Sequence, residues 1–192
     1  MKKLIEGVNK YIKKYKLHVL KDVAIFVLIV LSVHFAYRLW ANQANYWPIR
    51  NLMHNAHDSA STIVFNQSVW IIDNIYRIPV TTSEVRIIHF QNGGFIGVNE
   101  SCSGLKPILQ FILLMLVFPG PWKHKAWFIP MGIIIVHLTN LFRITGLAIV
   151  TVTVPEYWQF AHDNLFRPFF YVVIFFLWVW WVEVYRKVPI SA

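Results

Sequence analysis

The chain has 192 residues, of which 57% are hydrophobic, 17% aromatic and 14% charged. This composition excludes an ordinary water-soluble domain and predicts a membrane protein of one compact bundle, since neither a linker nor a repeat marks a second domain. The net charge is +9, but seven lysines lie in the first 21 residues, directly before an apolar stretch. The positive-inside rule explains this group of lysines, since basic residues next to a membrane span stay in the cytoplasm. No nucleic-acid partner is therefore expected.

The amino-terminal part predicts a membrane anchor. Residues 1–22 form a basic segment, and residues 23–40 form an apolar first span. Because no small-residue cleavage site follows the apolar core, we interpret this span as an uncleaved signal anchor. The lysines place the amino terminus in the cytoplasm.

Residues 41–104 are expected to lie on the outer side of the membrane. Residues 59–77 have a polar helical stripe and predict an amphipathic helix at the outer interface or re-entering from outside. A crossing by this helix would turn the basic loop between the next two spans outward, against the charge rule. Residues 84–99 predict a β-hairpin, because Asn92 and Gly93 suit a tight turn with positive φ angles.

Three further spans are predicted at residues 105–118, 126–154 and 169–185. Basic residues lie between the first two of them and after the last, and both clusters should be cytoplasmic. The predicted fold is therefore an all-α membrane bundle of about four to five transmembrane helices. A small extracytoplasmic β-hairpin precedes the helix that begins after Cys102, and residues 1–192 form a single domain.

Cys102 is the only cysteine, which excludes an intramolecular disulfide. A lone cysteine is most often a small buried apolar residue. Its place at a predicted helix start favours a thiolate, however, because unpaired N–H groups and the helix dipole meet there, with Lys106 one turn on. The sequence therefore makes Cys102 a candidate nucleophile.

Arg143 lies inside an apolar run that is long enough to cross a bilayer. A guanidinium at that depth costs at least roughly 2.5 to 3.5 kcal/mol, so it must face a partner or a water-filled cavity. Asn140 and His137 precede it by one and two turns and share its sector of the helix. By helical rise Arg143 is roughly 25 Å from the cytoplasmic end, level with Cys102 and His162 near the outer face.

Three strings carry a family resemblance: E-S-C-S-G-L at 100–105, N-L-F-R-I at 140–144 and the downstream His162. Together they resemble the exosortase and archaeosortase family of membrane transpeptidases, over roughly residues 80–180. The chain is most similar to the compact exosortase F type of Bacteroidetes. The resemblance implies a multi-pass protein of the bacterial inner membrane that cleaves C-terminal sorting signals of exported proteins through a thioester, with an active site near the outer face.

On that resemblance Cys102 would be the nucleophile, Arg143 the electrostatic stabiliser and His162 the proton shuttle. The implied partners are exported proteins with a tripartite C-terminal tail, the lipid bilayer, and a lipid or glycan as a possible acceptor, with water as the other option. No cofactor is implied. We expect pocket positions for four polar residues near these three: Glu100, Ser103, Asn140 and His137.

Three other interpretations concern these residues and the chain. His54, His57 and Asp58 have a metal-like spacing, but such residues in an interfacial loop are more often solvated, so no metal is assigned. Asp163 could orient His162, although adjacent residues on an extended segment point apart. The chain could also be a non-catalytic membrane assembly or transport component, in which Arg143 makes a structural polar contact and Cys102 is inert.

Overall fold

The computed structural model describes residues 17–42 and 45–185. The chain divides into two compact units, Met1–Asn45 and Tyr46–Ala192. In the first unit, helix α1 (Leu17–Asn42) contains the apolar stretch Val23–Asn42, which is long enough to cross a membrane. The predicted span at residues 23–40 lies within this helix.

The second unit begins with helix α2 (Arg50–Trp70), which continues as a π-helical turn over Ile71–Ile75. The predicted amphipathic helix at residues 59–77 is thus present but starts and ends earlier. Its buried face repeats every three to four residues, as an amphipathic helix requires. That face carries Met53, His57, Ser61, Val64 and Ser68. The face turned toward the protein is therefore largely polar.

A three-stranded antiparallel sheet follows, in the order β1 (Val80–Ser83), β2 (Ile87–Phe90) and β3 (Phe95–Gly97). The predicted hairpin at residues 84–99 corresponds to β2 and β3, and β1 was not expected. In the turn Gly93 takes a φ of +84°, whereas Asn92 keeps a negative φ and accepts a hydrogen bond from the Gly94 amide through its side chain. The prediction of two positive φ angles was wrong at Asn92.

One face of the sheet packs on the last turns of the long helix α4 (Trp122–Thr153) and on the segment that follows it. Asn92 strengthens this contact, since its side-chain amide donates to the Thr151 carbonyl over 3.0 Å. The buried cluster between these parts comprises Ile72, Ile88, Phe90, Ile96, Leu147, Ala148, Ala161 and Phe166. The sheet is thereby fixed at one end of the helical unit.

Helix α3 (Leu105–Val117) has 13 residues and spans about 20 Å, less than the roughly 30 Å hydrocarbon core. After Thr153 the chain stays mostly helical, with a π-helical stretch at Ala161–Phe166 that leads into α5 (Arg167–Tyr185). Among the described residues three stretches are long and apolar enough to span: Val23–Asn42, Trp122–Thr153 and Pro155–Val184. A mostly helical, multi-pass membrane protein is confirmed, while a count above three stays a prediction.

Lys125 was expected in a basic cytoplasmic cluster, but it is 4% exposed. Its ammonium group donates to the carbonyls of Leu116 and Phe118 over 3.2 and 2.8 Å. These carbonyls lie at the carboxyl end of α3, where they lack partners within the helix. Lys125 therefore caps α3 and joins it to the first turn of α4.

Helices α3 and α4 approach closely at Gly132. A β-carbon added there would lie 2.1 Å from the ring of Phe111, which is fully buried. Glycine in a helix interior lowers helix stability by about 1 kcal/mol relative to alanine. The close contact between α3 and α4 therefore explains why this position is glycine despite its low helix propensity. The pair Gly132 and Phe111 sets the distance between the two helices.

We expect Gly132→Ala to destabilise the protein by roughly 1 to 3 kcal/mol despite the better helix propensity of alanine, because the methyl group overlaps the Phe111 ring. Thermal unfolding in detergent, followed by tryptophan fluorescence, measures the effect. Adding Phe111→Leu to Gly132→Ala should recover part of the loss. A Gly132→Ala protein as stable as the wild type would show that the helices are not in close contact there.

Candidate active site

Cys102 lies in a short turn between the sheet and α3. Residues Glu100–Cys102 form a 3-10 turn, and the Asn99 side chain caps it by accepting a hydrogen bond from the Ser101 amide over 3.0 Å. Gly104 precedes α3 with a φ of +76°, and a β-carbon there would lie 2.8 Å from the Asn140 amide nitrogen. A glycine is therefore required two residues after the cysteine.

Helix α4 holds this turn through two polar side chains. Asn140 donates from its amide nitrogen to the Cys102 carbonyl over 2.7 Å. The guanidinium of Arg143 lies within electrostatic reach of Cys102 and 5.6 Å from the centre of the Phe170 ring. The structure thus brings Asn140 and Arg143 to the cysteine turn.

Two polar atoms beside the sulfur have no hydrogen-bond partner among the described residues. They are Nε of Arg143 and Oδ1 of Asn140, and the two residues are 8% and 1% exposed. An unpaired buried donor costs roughly 1 to 3 kcal/mol, and charged donors cost more. Arg143 thus keeps a donor, its Nε–H, that no described residue uses.

Helix α2 holds the other side of the turn, and sequence reasoning missed this contact. Nδ1 of His57 lies 2.9 Å from the Ser103 hydroxyl, and the ring also hydrogen-bonds the backbone of Glu100. His54 Nδ1 lies 3.2 Å from the Glu100 carboxylate. His57 is 3% exposed, so the expectation of a solvated histidine was wrong.

His57 and Ser103 form one hydrogen-bonded network with the start of α3, since the Ser103 oxygen also accepts from the Leu105 amide over 3.2 Å. Burial lowers the pKa of His57 and outweighs the Glu100 charge, which raises it. His57 is therefore held neutral beside the cysteine turn.

His162 lies in the π-helical stretch Ala161–Phe166, which was expected to be extended. There, Nδ1 of His162 lies 2.9 Å from the Asp163 carboxylate, and its ring stacks on Trp158 at 4.9 Å. Asp163 also pairs with Arg167 over 2.9 Å. The expectation that adjacent residues point apart was wrong here, because the helical backbone brings the two side chains to one side.

The contacts of His162 with Asp163 and Trp158 involve neither Cys102 nor Arg143. Helix α5 lies between His162 and Arg143 in contact terms: its Arg167 pairs with Asp163 and is within electrostatic reach of Arg143, and its Phe170 lies beneath the Arg143 guanidinium. Cys102 and Arg143 thus form one contact pair, and His162 with Asp163 forms a second group next to it.

The remaining expected pocket residues divide between the turn and a separate contact. Glu100 and Ser103 belong to the turn and meet His54 and His57. His137 instead bonds Gln67 through Nε2 over 2.7 Å, joining α4 to α2 away from the turn. Within residues 17–42 and 45–185, no three His, Cys, Asp or Glu side chains gather as metal ligands.

The buried histidine predicts a loss of stability in acid. Since its folded-state pKa is below the unfolded value of about 6.5, stability should be constant above that pH and fall as the pH is lowered through the folded pKa. His57→Asn keeps an acceptor near Nδ1 but does not titrate. We expect it to be about 1 kcal/mol less stable at neutral pH, with a weaker loss in acid. Thermal unfolding between about pH 7.5 and about pH 5.5 measures both effects.

His54→Asn is the matched control, because the His54 side chain is 38% exposed and should leave the acid loss in place. An equal acid loss in the wild type and in His57→Asn would contradict a neutral buried His57.

Comparison with known proteins assigns the chain to a family. No significant match to this chain is found among curated proteins or among solved structures. The family profile described as transmembrane exosortase matches residues 23–181, which include the first span, the sheet, the cysteine turn and both groups of polar residues. Since this match covers most of the sequence, the chain belongs to the transmembrane exosortase family.

Proposed function

We propose that this exosortase is a cysteine transpeptidase that cleaves C-terminal sorting signals of exported proteins through a thioester. The observation that carries the proposal is that the cysteine turn is bound to the long helix by Asn140, with the buried Arg143 guanidinium within electrostatic reach of Cys102. A buried cation in a membrane helix requires a partner, and here that partner is the one nucleophilic thiol of the chain. Family membership supports the same reaction class.

In the first step the Cys102 thiolate attacks the carbonyl carbon of the scissile amide and forms an S–C bond. The carbonyl oxygen becomes negatively charged, and we propose the unpaired Nε–H of Arg143 as its hydrogen-bond donor. When the C–N bond breaks, the leaving amine needs a proton. The products of this step are a thioester on Cys102 and the released tail.

His162 is suited to supply that proton. Its Nδ1 lies on the Asp163 carboxylate, which favours the tautomer with hydrogen on Nδ1 and leaves Nε2 for exchange with the substrate. A protonated Nε2 gives its proton to the leaving amine. A neutral Nε2 then takes a proton from the acceptor nucleophile, which attacks the thioester and frees Cys102.

The position of the site along α4 supports an outer-face active site. Arg143 lies 18 residues from Lys125, roughly 27 Å along the helix, and only about 15 Å from the end at Thr153. The basic end of α4 is expected in the cytoplasm, so the site faces the outer side. Exported proteins with a tripartite tail are the proposed substrates, and a lipid, a glycan or water is the proposed acceptor.

Replacing the cysteine tests the proposal. We expect Cys102→Ala to stop maturation of a secreted reporter that carries a tripartite tail from the same genome, with a rate loss on the order of 10³-fold or more. Immunoblotting measures the full-length reporter that accumulates. Ser101→Ala is the control, because it changes the neighbouring exposed side chain and leaves the thiol. Normal maturation with Cys102→Ala at matched protein level would favour a non-catalytic membrane component.

A second substitution separates an electrostatic role from a structural one. Arg143→Lys keeps the charge but loses the planar fork that reaches the sulfur and a developing oxyanion together. We expect a folded protein with roughly 10² to 10³-fold slower processing, as for loss of an oxyanion donor. Processing at the wild-type rate with matched protein level would mean that Arg143 serves packing alone.

A further inference from the structure

The third strand of the sheet has one edge that pairs with no other strand among the described residues. The Val98 amide donates to the Arg86 carbonyl and the Phe90 amide donates to the Gly94 carbonyl, each over 2.9 Å. In the register that pairs Ile88 with Ile96, only every second residue along β3 hydrogen-bonds to β2, namely Gly94, Ile96 and Val98. The N–H and C=O groups of Phe95 and Gly97 therefore point away from β2, to the edge of the sheet.

The free edge is accessible at Gly97. Both Phe95 and Gly97 are exposed, while Ile96 between them is buried in the core beneath the sheet. Since glycine has no side chain, its exposure is that of its backbone. A β-carbon at Gly97 would meet no atom within 4 Å, so the space beside this residue is open.

The nucleophile lies on this same edge. The Cys102 thiol donates over 3.9 Å to the Gly97 carbonyl oxygen, one of the two outward groups of that residue, so a substrate strand would take over this acceptor from the thiol. A strand added to the edge would run about 4.8 Å from β3, so its backbone would pass at the level of the sulfur. Arg143 lies within electrostatic reach of Cys102 from helix α4.

We infer that β3 binds the substrate as an added strand, with the extended peptide around the scissile bond paired to Phe95 and Gly97. This inference rests on the proposed function and specifies how the substrate is held. The ligand class is an extended peptide recognised through its main chain, as in other cases of strand addition. The other edge of the sheet is β1, which is separated from β3 by β2, so the thiol lies at one edge alone.

Pairing with a substrate strand would explain why the edge of β3 carries no blocking residue. Exposed edges are normally blocked by charged residues or proline, because they recruit other chains. The sequence of β3 is Phe-Ile-Gly, which contains neither a charged residue nor a proline. The absent side chain at Gly97 leaves room for the substrate residue next to the sulfur, and the pairing holds the scissile carbonyl between β3 and Arg143.

Two substitutions at Gly97 test the pairing. Gly97→Pro removes the outward N–H, which the β2–β3 ladder does not use, and places a ring in the path of the added strand. Gly97→Ala keeps the N–H and fits the open space. We expect kcat/KM for the reporter protein to fall roughly 10- to 100-fold with Gly97→Pro, as for a lost backbone hydrogen bond with steric blocking, and to fall clearly less with Gly97→Ala, which retains that hydrogen bond.

The alkylation rate of Cys102 with a small maleimide serves as the fold control, since that reagent does not need the strand edge. Unchanged alkylation with slow processing in Gly97→Pro supports the pairing. Equal processing by Gly97→Pro and Gly97→Ala overturns it. If the Cys102→Ala protein still matures the reporter, the proposed function itself is wrong. If processing requires Cys102 but is unaffected by Gly97→Pro, only the strand pairing is wrong.

A substrate-side experiment needs no enzyme variant. Prolines are introduced one at a time into the reporter tail on both sides of the cleavage bond, leaving the two residues joined by that bond unchanged. In an added strand only alternate residues give their N–H to β3, so sensitivity to proline should alternate along the tail. Uniform tolerance, or sensitivity without alternation, overturns strand addition even if Gly97→Pro fails to fold.

Discussion

The burial of one guanidinium inside a membrane helix is the constraint on which the site depends. Arg143 requires a partner at its depth, and it finds the Cys102 sulfur and the face of Phe170. The neighbouring Asn140 binds the Cys102 carbonyl one turn away. The cysteine turn is thereby held against α4, with the buried cation within electrostatic reach of Cys102.

The same turn is held from the opposite side by α2. His57 and His54 reach the turn at Ser103 and Glu100, and Ser61 donates to the Asn99 carbonyl over 3.1 Å. Two helices thus clamp a segment of about six residues that would otherwise be a flexible loop. A nucleophile fixed on both sides loses little conformational freedom when the substrate binds, which favours attack in a single geometry.

The sheet and the helical unit serve the site together. The sheet packs its apolar face on the end of α4 and on Ala161 and Phe166, so its position relative to Arg143 is fixed. The strand nearest the cysteine keeps its outer edge accessible. The π-helical stretch that carries His162 and Asp163 packs on the same end of α4, where Gly146 allows the Phe166 ring to approach. Nucleophile, cation, histidine pair and strand edge therefore all lie at one end of the helix.

Local pattern was enough for the three long apolar helical stretches, the β2–β3 hairpin and the positions of Asn140 and Arg143 on one side of α4. Hydropathy, turn residues and helical spacing act over a few residues, so Cys102, Asn140 and Arg143 could be singled out from the sequence. The role of His57 could not, because its partner Ser103 is 46 positions away and an isolated histidine carries no signal of burial. The partnership of His162 with Asp163 depends on a π-helical backbone that no residue type marks, and β1 is too short to show a period. The close contact at Gly132 likewise depends on where α3 crosses α4. Such contacts arise only when distant segments pack, and that packing decided the partners of His57, of Lys125 and of the cysteine turn.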